Sequence, residues 1–340
     1  MRRTAVLAAC ALSLFAPRAG AQPPALPAAL VAPASPALPQ AQRQPGAAQS
    51  ENFSSKVRLD KNGSVSVRNV SGDIVVTGGA GDDVSIEAVK RTSGDASLLS
   101  QVQIEVTQHD GRLDIGVHYH RETGLVSHQD VRVDFTIAVP RWAAVQAHSV
   151  SGGVRISGVD GRVRAESVSG DVSVATTPRL EVAKTVSGDV ELSGATEAGD
   201  LTVMSVSGDV LAKNLKAASL DVQTVSGGIT LADVACDRLK ARSVSGRVEF
   251  SGSLAAGGRY DINTHSGRVR LTLASETGFE LTASTYSGSI RSDLPLTLGG
   301  DRGDVRSGGV TNRAVHATFG NGSAGLTIRT FSGDIEIAKR

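Results

Sequence analysis

"SVSGDV" occupies residues 205–210, and near copies recur along the chain: "SVSGGV" at 149, "SVSGDV" at 167, "TVSGDV" at 185, "TVSGGI" at 224 and "SVSGRV" at 243. Aligned on the serine of the Ser-Gly step, the copies are Ser151, Ser169, Ser187, Ser207, Ser226, Ser245, Ser266, Ser287 and Ser332. Their spacings are 18, 18, 20, 19, 19, 21, 21 and 45. A period near ~20 repeated this often marks a solenoid or an array. The long gap holds "RSGGV", where Ser307 reads as a degenerate copy, and Ser71 in "VSGDI" reads as an outlying N-terminal member.

The columns of the repeat predict how it packs. Three places after the serine stand Val154, Val172, Val190, Val210, Ile229, Val248, Val269, Ile290 and Ile335. Five places after it the residues are again apolar, from Ile156 to Ile337, with Ser292 as an exception. Four places before it stand small or β-branched residues such as Ala147, Ala165, Val203, Val222 and Ile262. Polar residues lie between, so each repeat reads as two short strands with one apolar face each. A unit this small cannot bury its own face, but copies stacked in register can. The expected fold is all-β, a parallel β-solenoid with coils of about 19–21 residues behind an N-terminal β-rich cap region. A β-propeller needs ~40–50 residues per blade, and a β-sandwich needs no identical corners.

The Ser-Gly step is then the bend between strands. Glycine permits the backbone of a sharp corner, and the serine can bond backbone groups left free there. The Ser or Thr two places earlier (Ser149, Ser167, Thr185, Ser205, Thr224, Ser243, Thr264, Thr285, Thr330) is in phase with the inner face and reads as a hydroxyl ladder between coils. The valine just before the serine is out of phase with that face, which implies a bulge at the corner.

Residues 51–340, and above all "VRVDFTIAVPRWAAVQAHSVSGGVRISGVDGRVRAESVSGDVSV" (131–174), resemble bacterial exported proteins known as the "putative adhesin" family, which repeat an SGDV-type motif at this spacing. The resemblance implies a β-solenoid in or outside the cell envelope. It implies no activity and no catalytic residues, since the family's function is unknown.

Composition narrows the function. The 340 residues carry 35 basic and 34 acidic side chains, which gives no field to gather nucleic acid. Aromatic residues are 3% of the chain, too few for extended stacking platforms. The start, "MRRTAVLAACALSLFAPRAGA", has Arg2 and Arg3, an apolar run from Thr4 to Ala16 and a small-residue cleavage site at Ala19-Gly20-Ala21. It reads as a signal peptide over residues 1–21, with Gln22 as the mature N-terminus. Leu7-Ala8-Ala9-Cys10 also resembles a lipoprotein box, but leaves too short an apolar run ahead of Cys10. Residues 22–50 hold seven of the eleven prolines and read as a disordered linker. Residues 51–140 form the N-terminal β region, with a short helix possible within 95–108, and 141–340 the repeat solenoid. No later stretch is long and apolar enough for a transmembrane segment. Without Cys10, Cys236 is the single cysteine, so no internal disulfide is expected, and it reads as a small buried residue.

Three constellations are candidates for chemistry. Asp73, Asp171, Asp189, Asp209 and Asp334 share one corner column, where other copies hold Gly153, Gly228, Arg247, Arg268 or Ser289. A catalytic carboxylate pair is singular rather than periodic, and the ligand number is low for calcium. The aspartates read as turn residues facing solvent, with Asp171, Asp189 and Asp209 laddered and Asp73 outside the ladder. His118, His120, His128 and Asp130 would share one face if a hairpin centred on Gly124 paired Val117 with Val131, but the spacing matches no established zinc motif. The sequons at Asn52, Asn62, Asn69 and Asn321 matter only in a eukaryotic secretory route. No catalytic, cofactor-binding or metal residue is therefore expected. The expected protein is exported and non-enzymatic, periplasmic, in the outer envelope or extracellular, and binds an envelope or surface partner, protein or polysaccharide. The alternatives are a carbohydrate-active β-helix enzyme (a polysaccharide lyase or hydrolase) and a purely structural envelope protein.

Overall fold

The computed structural model describes residues 49–119, 131–274, 277–298 and 313–340. The expected signal peptide and linker before Gln49, together with His120, His128, Asp130 and Ser307, lie outside them. The described chain is all-β apart from a four-residue helix, Ser97–Ser100, which leaves Val102–His109 as strand. Its sheet is mostly parallel and nearly closed around an axis.

One run of backbone hydrogen bonds orders the whole stack. The glycine N–H of each Ser-Gly step donates to the serine carbonyl of the next rung. The bonds run Gly72 to Ser151, Gly152 to Ser169, Gly170 to Ser187, Gly188 to Ser207, Gly208 to Ser226, Gly227 to Ser245, Gly246 to Ser266, Gly267 to Ser332 and Gly333 to Ser287, all at 2.8–3.1 Å. Two departures from the sequence reading appear here. Ser71 is no outlier but the first rung, in register with Ser151. The rung of Ser332 lies between those of Ser266 and Ser287, so the end of the chain is stacked ahead of the segment that precedes it.

The rungs that follow Ser151, Ser169, Ser187, Ser207 and Ser226 have three inward-facing segments rather than two. In one rung these are Val210 and Ala212, then Leu215 and Ala217, then Leu220, Val222 and Thr224, all buried. The extra bend falls seven places after the serine, at Gly158, Thr176, Gly194, Asn214 and Asp233, each with φ between 52° and 70°. Four of these five are Gly, Asn or Asp, the residue types that enter the left-handed region at least cost. The bend also places Val234 beside Leu215, and Cys236 beside Ala217, in the core. Burial pushes the Cys236 thiol up to about 12, as its reading as a small core residue implies.

The core is a set of self-stacking columns, among them Ala165, Ala183, Val203, Val222, Ala241 and Ile262. Where one rung is longer, Tyr260 fills the interior. Its hydroxyl donates to the Cys236 carbonyl (2.6 Å) and accepts from the Ala255 N–H (2.7 Å). Burial, as the largest cause, raises its phenol from 10.0 to about 12. The folded value lies above the unfolded one, so this stability is fully present below pH 10 and is lost as pH rises towards 12. Urea melts of Tyr260→Phe are expected to show a loss of about 1–3 kcal/mol at neutral pH, from the two orphaned backbone groups, and a shallower decline than wild type between pH 10 and 12.

Antiparallel strands close both ends of the stack. Asp83–Thr92 pairs with Val131–Pro140 and with Gln49–Arg58, and Val102–His109 pairs with Arg112–Tyr119. At the other end Arg313–Phe319 runs antiparallel to Phe279–Ser287. Such pairing covers strand edges that would otherwise template association.

Candidate interaction surface

The corner sets the geometry of the surface. Alternation puts Val203 inside, Met204 outside, Ser205 inside and Val206 outside, and the chain then turns through Ser207-Gly208. On seven rungs, from Ser167 to Thr285, the buried hydroxyl two places before the step serine donates back to the glycine carbonyl of the preceding rung, while those of Ser149 and Thr330 are buried without such a bond. Examples are Thr185 to Gly170 (2.8 Å), Ser205 to Gly188 (3.0 Å) and Thr285 to Gly333 (3.0 Å). This is the expected ladder between rungs. From Ser151 to Ser332 the step serines themselves are exposed, so their contribution is the backbone bridge rather than the side-chain bond expected.

The aspartate column is more than a solvated edge. Asp171 Oδ1 accepts from the Asp189 N–H (2.9 Å), Asp189 Oδ1 from the Asp209 N–H (2.8 Å) and Asp209 Oδ1 from the Gly228 N–H (2.7 Å). Asp73 belongs to the same column: it accepts from the Gly153 N–H (2.9 Å) and faces Arg132 (3.3 Å) and Arg155 (3.7 Å). Asp334 continues it, and the Ser289 hydroxyl and N–H on its Oδ1 hold that carboxyl below the usual range. Each carboxylate thus satisfies a corner N–H that the strand ladder does not reach. Asp189→Ala is expected to cost about 1 kcal/mol. Asp189→Asn keeps an acceptor oxygen and relieves repulsion from its neighbours, so it should lie closer to wild type at low salt. Paired denaturant melts check the difference.

The histidine face is not assembled as expected. Val117 pairs with Ile104, and Val131 with Thr92, so the two strands do not form one hairpin. The reason is register: Arg112–Tyr119 takes its partners from Val102–His109 and Ser64–Ser71, while Val131–Pro140 is occupied by Asp83–Thr92 and Ile74–Gly79. His118 faces Glu105 at 3.3 Å. Among the described residues no group of three or more His, Cys, Asp or Glu is placed to hold a metal. Asn69 is 2% exposed, with its amide nitrogen on the Gly72 and Val133 carbonyls, so the folded protein offers no sequon there.

The feature that stands out is the residue just before each step serine. Val150, Val168, Val186, Val206, Val225 and Val244 point outward on successive rungs, each 38–48% exposed. The column continues through His265, Phe331 and Tyr286. Their rings are stacked, with centroids 4.9 Å apart at 10° for His265–Phe331 and 4.8 Å apart at 4° for Phe331–Tyr286. The ring order independently repeats the order of the hydrogen-bond run. An open groove of about 450 Å³ lies beside the column, lined by Met204, Val206, Val225, Val244, Arg242 and His265 among others. The valine could be read as outward-facing from the alternation, but the continuity of the ridge depends on the stacking order.

The family description Toastrack DUF4097 matches residues 159–338. No curated protein matches the chain. Among solved structures, the chain is similar to a "putative adhesin" from Bacteroides fragilis at 12% identity, covering 84% of this chain and 97% of that one, with a TM-score of 0.41. It is also similar to one from Parabacteroides distasonis, at 13% identity and the same coverage, with a TM-score of 0.39. A "putative cell adhesion protein" from Clostridium sporogenes is 11% identical, covers 86% of this chain and 100% of that one, and has a TM-score of 0.23. With the family description matching over half of its length, the chain belongs to the Toastrack DUF4097 family.

Proposed function

We propose that this protein is an exported, non-enzymatic β-solenoid with coils of about 19–21 residues, which binds an envelope or surface partner along its valine and aromatic ridge. The observation that carries the reading is the ridge itself. Nine exposed or stacked apolar and aromatic positions, Val150 to Tyr286, follow one another and, among the described residues, take in all the exposed large apolar side chains but Leu298. At a strand spacing of ~4.8 Å they extend over roughly 38 Å. A contiguous exposed apolar feature of this kind marks an interaction surface more often than an accident of composition. The periodic carboxylates, each tied to a corner N–H, support a scaffold over a polysaccharide lyase or hydrolase.

The test is retention on isolated cell envelopes. Val206→Lys with Val225→Lys places two charges on the ridge and should alter stability by less than about 1 kcal/mol, since both sites face outward. The expected result is loss of at least ~10-fold in retention, a cost of about 1.4 kcal/mol in binding. Unchanged retention would remove the ridge from the function, and turnover of a polysaccharide panel would replace the reading with the enzymatic one. The leader reading is checked separately by the mass of the exported protein, expected to start at Gln22. A lipidated Cys10 would instead make residues 22–50 a membrane tether.

A further inference from the structure

The charges beside the ridge are arranged about its middle. Val225 is the fifth of the nine ridge positions, and Gly228 stands beside it in the corner column. One way from Gly228 the column holds Asp209, Asp189 and Asp171; the other way it holds Arg247, Arg268 and Asp334. All of these except half-buried Asp334 are exposed. The column three places before each step serine, on the other flank, follows suit: counted from Gln223, Glu166 lies three rungs one way and Arg329 three rungs the other. Bulk is divided too, with valines on one half of the ridge and the rings of His265, Phe331 and Tyr286 ending the other.

A surface with opposite charge on its two halves complements itself when one copy is turned end over end. We propose that the ridge is occupied by a second copy of this chain, laid antiparallel about a two-fold axis at Val225 and Gly228. The inference rests on the ridge reading and names the occupant. The axis runs across the ridge, so each flank meets the same flank of the other copy. Asp209 then faces Arg247 of the second copy, Asp189 faces Arg268 and Glu166 faces Arg329, each pairing occurring twice. The corner bonds of Asp189 and Asp209 use Oδ1, and a carboxylate accepts at both oxygens, which leaves Oδ2 for a guanidinium. Val186, Val168 and Val150 meet His265, Phe331 and Tyr286, small against large. A parallel pair would set ring on ring and hold the valine halves apart. The one like-charged pairing in these two columns is Asp171 with Asp334, where Arg268 and Arg291 already act on the Asp334 carboxylate. Nine rungs at ~4.8 Å, five residues wide at ~3.3 Å, make a strip of about 600 Å² per copy. The total of ~1,200 Å² is at the lower end for a specific pair.

Two measurements on the full folded chain test this, each with Cys10→Ala and with the buried Cys236 kept. In the first, Val225→Cys places a thiol on the axis, opposite its own copy. Val168→Cys places one three rungs away, so its mate lies six rungs off, ~29 Å and beyond a disulfide. On oxidation with glutathione disulfide at low salt, the 225–225 linked dimer should exceed the 168–168 one at least ~10-fold. In the second, Arg247→Glu with Arg268→Glu should weaken self-association in sedimentation equilibrium at least ~10-fold. Mixing that chain with one carrying Asp189→Arg and Asp209→Arg should restore it, since every pairing of these four positions is again of opposite charge. The cross-link needs neither charge variant, so it decides the question even if the second chain loses its fold with its corner bonds. Equal cross-linking at 225 and 168, or a chain monomeric at every concentration, would overturn the proposal. Such a monomer leaves the ridge reading intact, since that reading is tested by envelope retention.

Discussion

Gly208→Val is expected to destabilise the protein by more than about 3 kcal/mol, or to prevent folding altogether. Two effects act together. Gly208 has φ of 154°, in a region that a β-branched residue enters only with strain. In addition, a Cβ built there would stand 2.0 Å from the Gly188 carbonyl oxygen, well inside contact distance. That oxygen is fixed, because it accepts the Ser205 hydroxyl at 3.0 Å. The rung cannot move away without breaking the Gly188-to-Ser207 bond below and the Gly208-to-Ser226 bond above. Thr230→Val, facing outward two places past the next corner glycine pair, is expected to be within about 0.5 kcal/mol of wild type. Equal losses at both positions in denaturant melts would mean that the corner does not depend on glycine.

The second large effect concerns the inserted rung. Ile328 is fully buried and lies between Ile262 and Ala283 on the rungs beside it. Ile328→Ala should cost about 3 kcal/mol, in the range for a core isoleucine whose cavity cannot collapse. Collapse is opposed because both neighbouring strands are held in register by backbone bonds along their length. Arg329→Ala, next in sequence but facing solvent, should cost less than about 0.5 kcal/mol. If Ile328→Ala were as mild as Arg329→Ala, the C-terminal segment would be a loosely docked tail rather than a rung.

Much of this architecture could be read from the residues because a stacked rung repeats its demands at a fixed interval. The apolar columns from Val154 to Ile335 announced the inner face, and the hydroxyls from Ser167 to Thr285 announced the ladder, which Ser149 and Thr330 do not join. The glycines announced the corner, although their closest constraint is the carbonyl of the rung below rather than φ alone. The third segment was missed despite a signal: Gly158, Gly194, Asn214 and Asp233 all sit seven places after a step serine, where left-handed backbone is needed. The insertion of the last rung was hidden for a different reason. The columns hold apolar residues of varied size, with Leu326 beside Tyr260 and Ile328 beside Ala283, and the corner motif is shared by all rungs, so local pattern does not say which neighbour a rung has. Only the gap of 45 between Ser287 and Ser332 hinted at a detour. Asp73 stands in the same corner column, and Gly153 of the Ser151 rung separates it from Asp171, so it lies outside the run of adjacent carboxylates as expected. The ridge follows the same logic: each valine was visible, but their union with His265, Phe331 and Tyr286 required the stacking order.

That order is the central claim, and one comparison of engineered disulfides tests it within a single chain. Ser266 and Ser332 are on adjacent rungs, ~4.8 Å apart at the strand spacing, within the Cα range that a disulfide spans. Ser266 and Ser287 are two rungs apart, ~9.6 Å by the same spacing, beyond that range. In dilute folded protein, Ser266→Cys with Ser332→Cys should close an intramolecular disulfide under mild oxidation, and Ser266→Cys with Ser287→Cys should remain two free thiols. The opposite outcome, closure of the 266–287 pair and none of the 266–332 pair, would return the chain to a simple sequential stack and contradict the inserted rung.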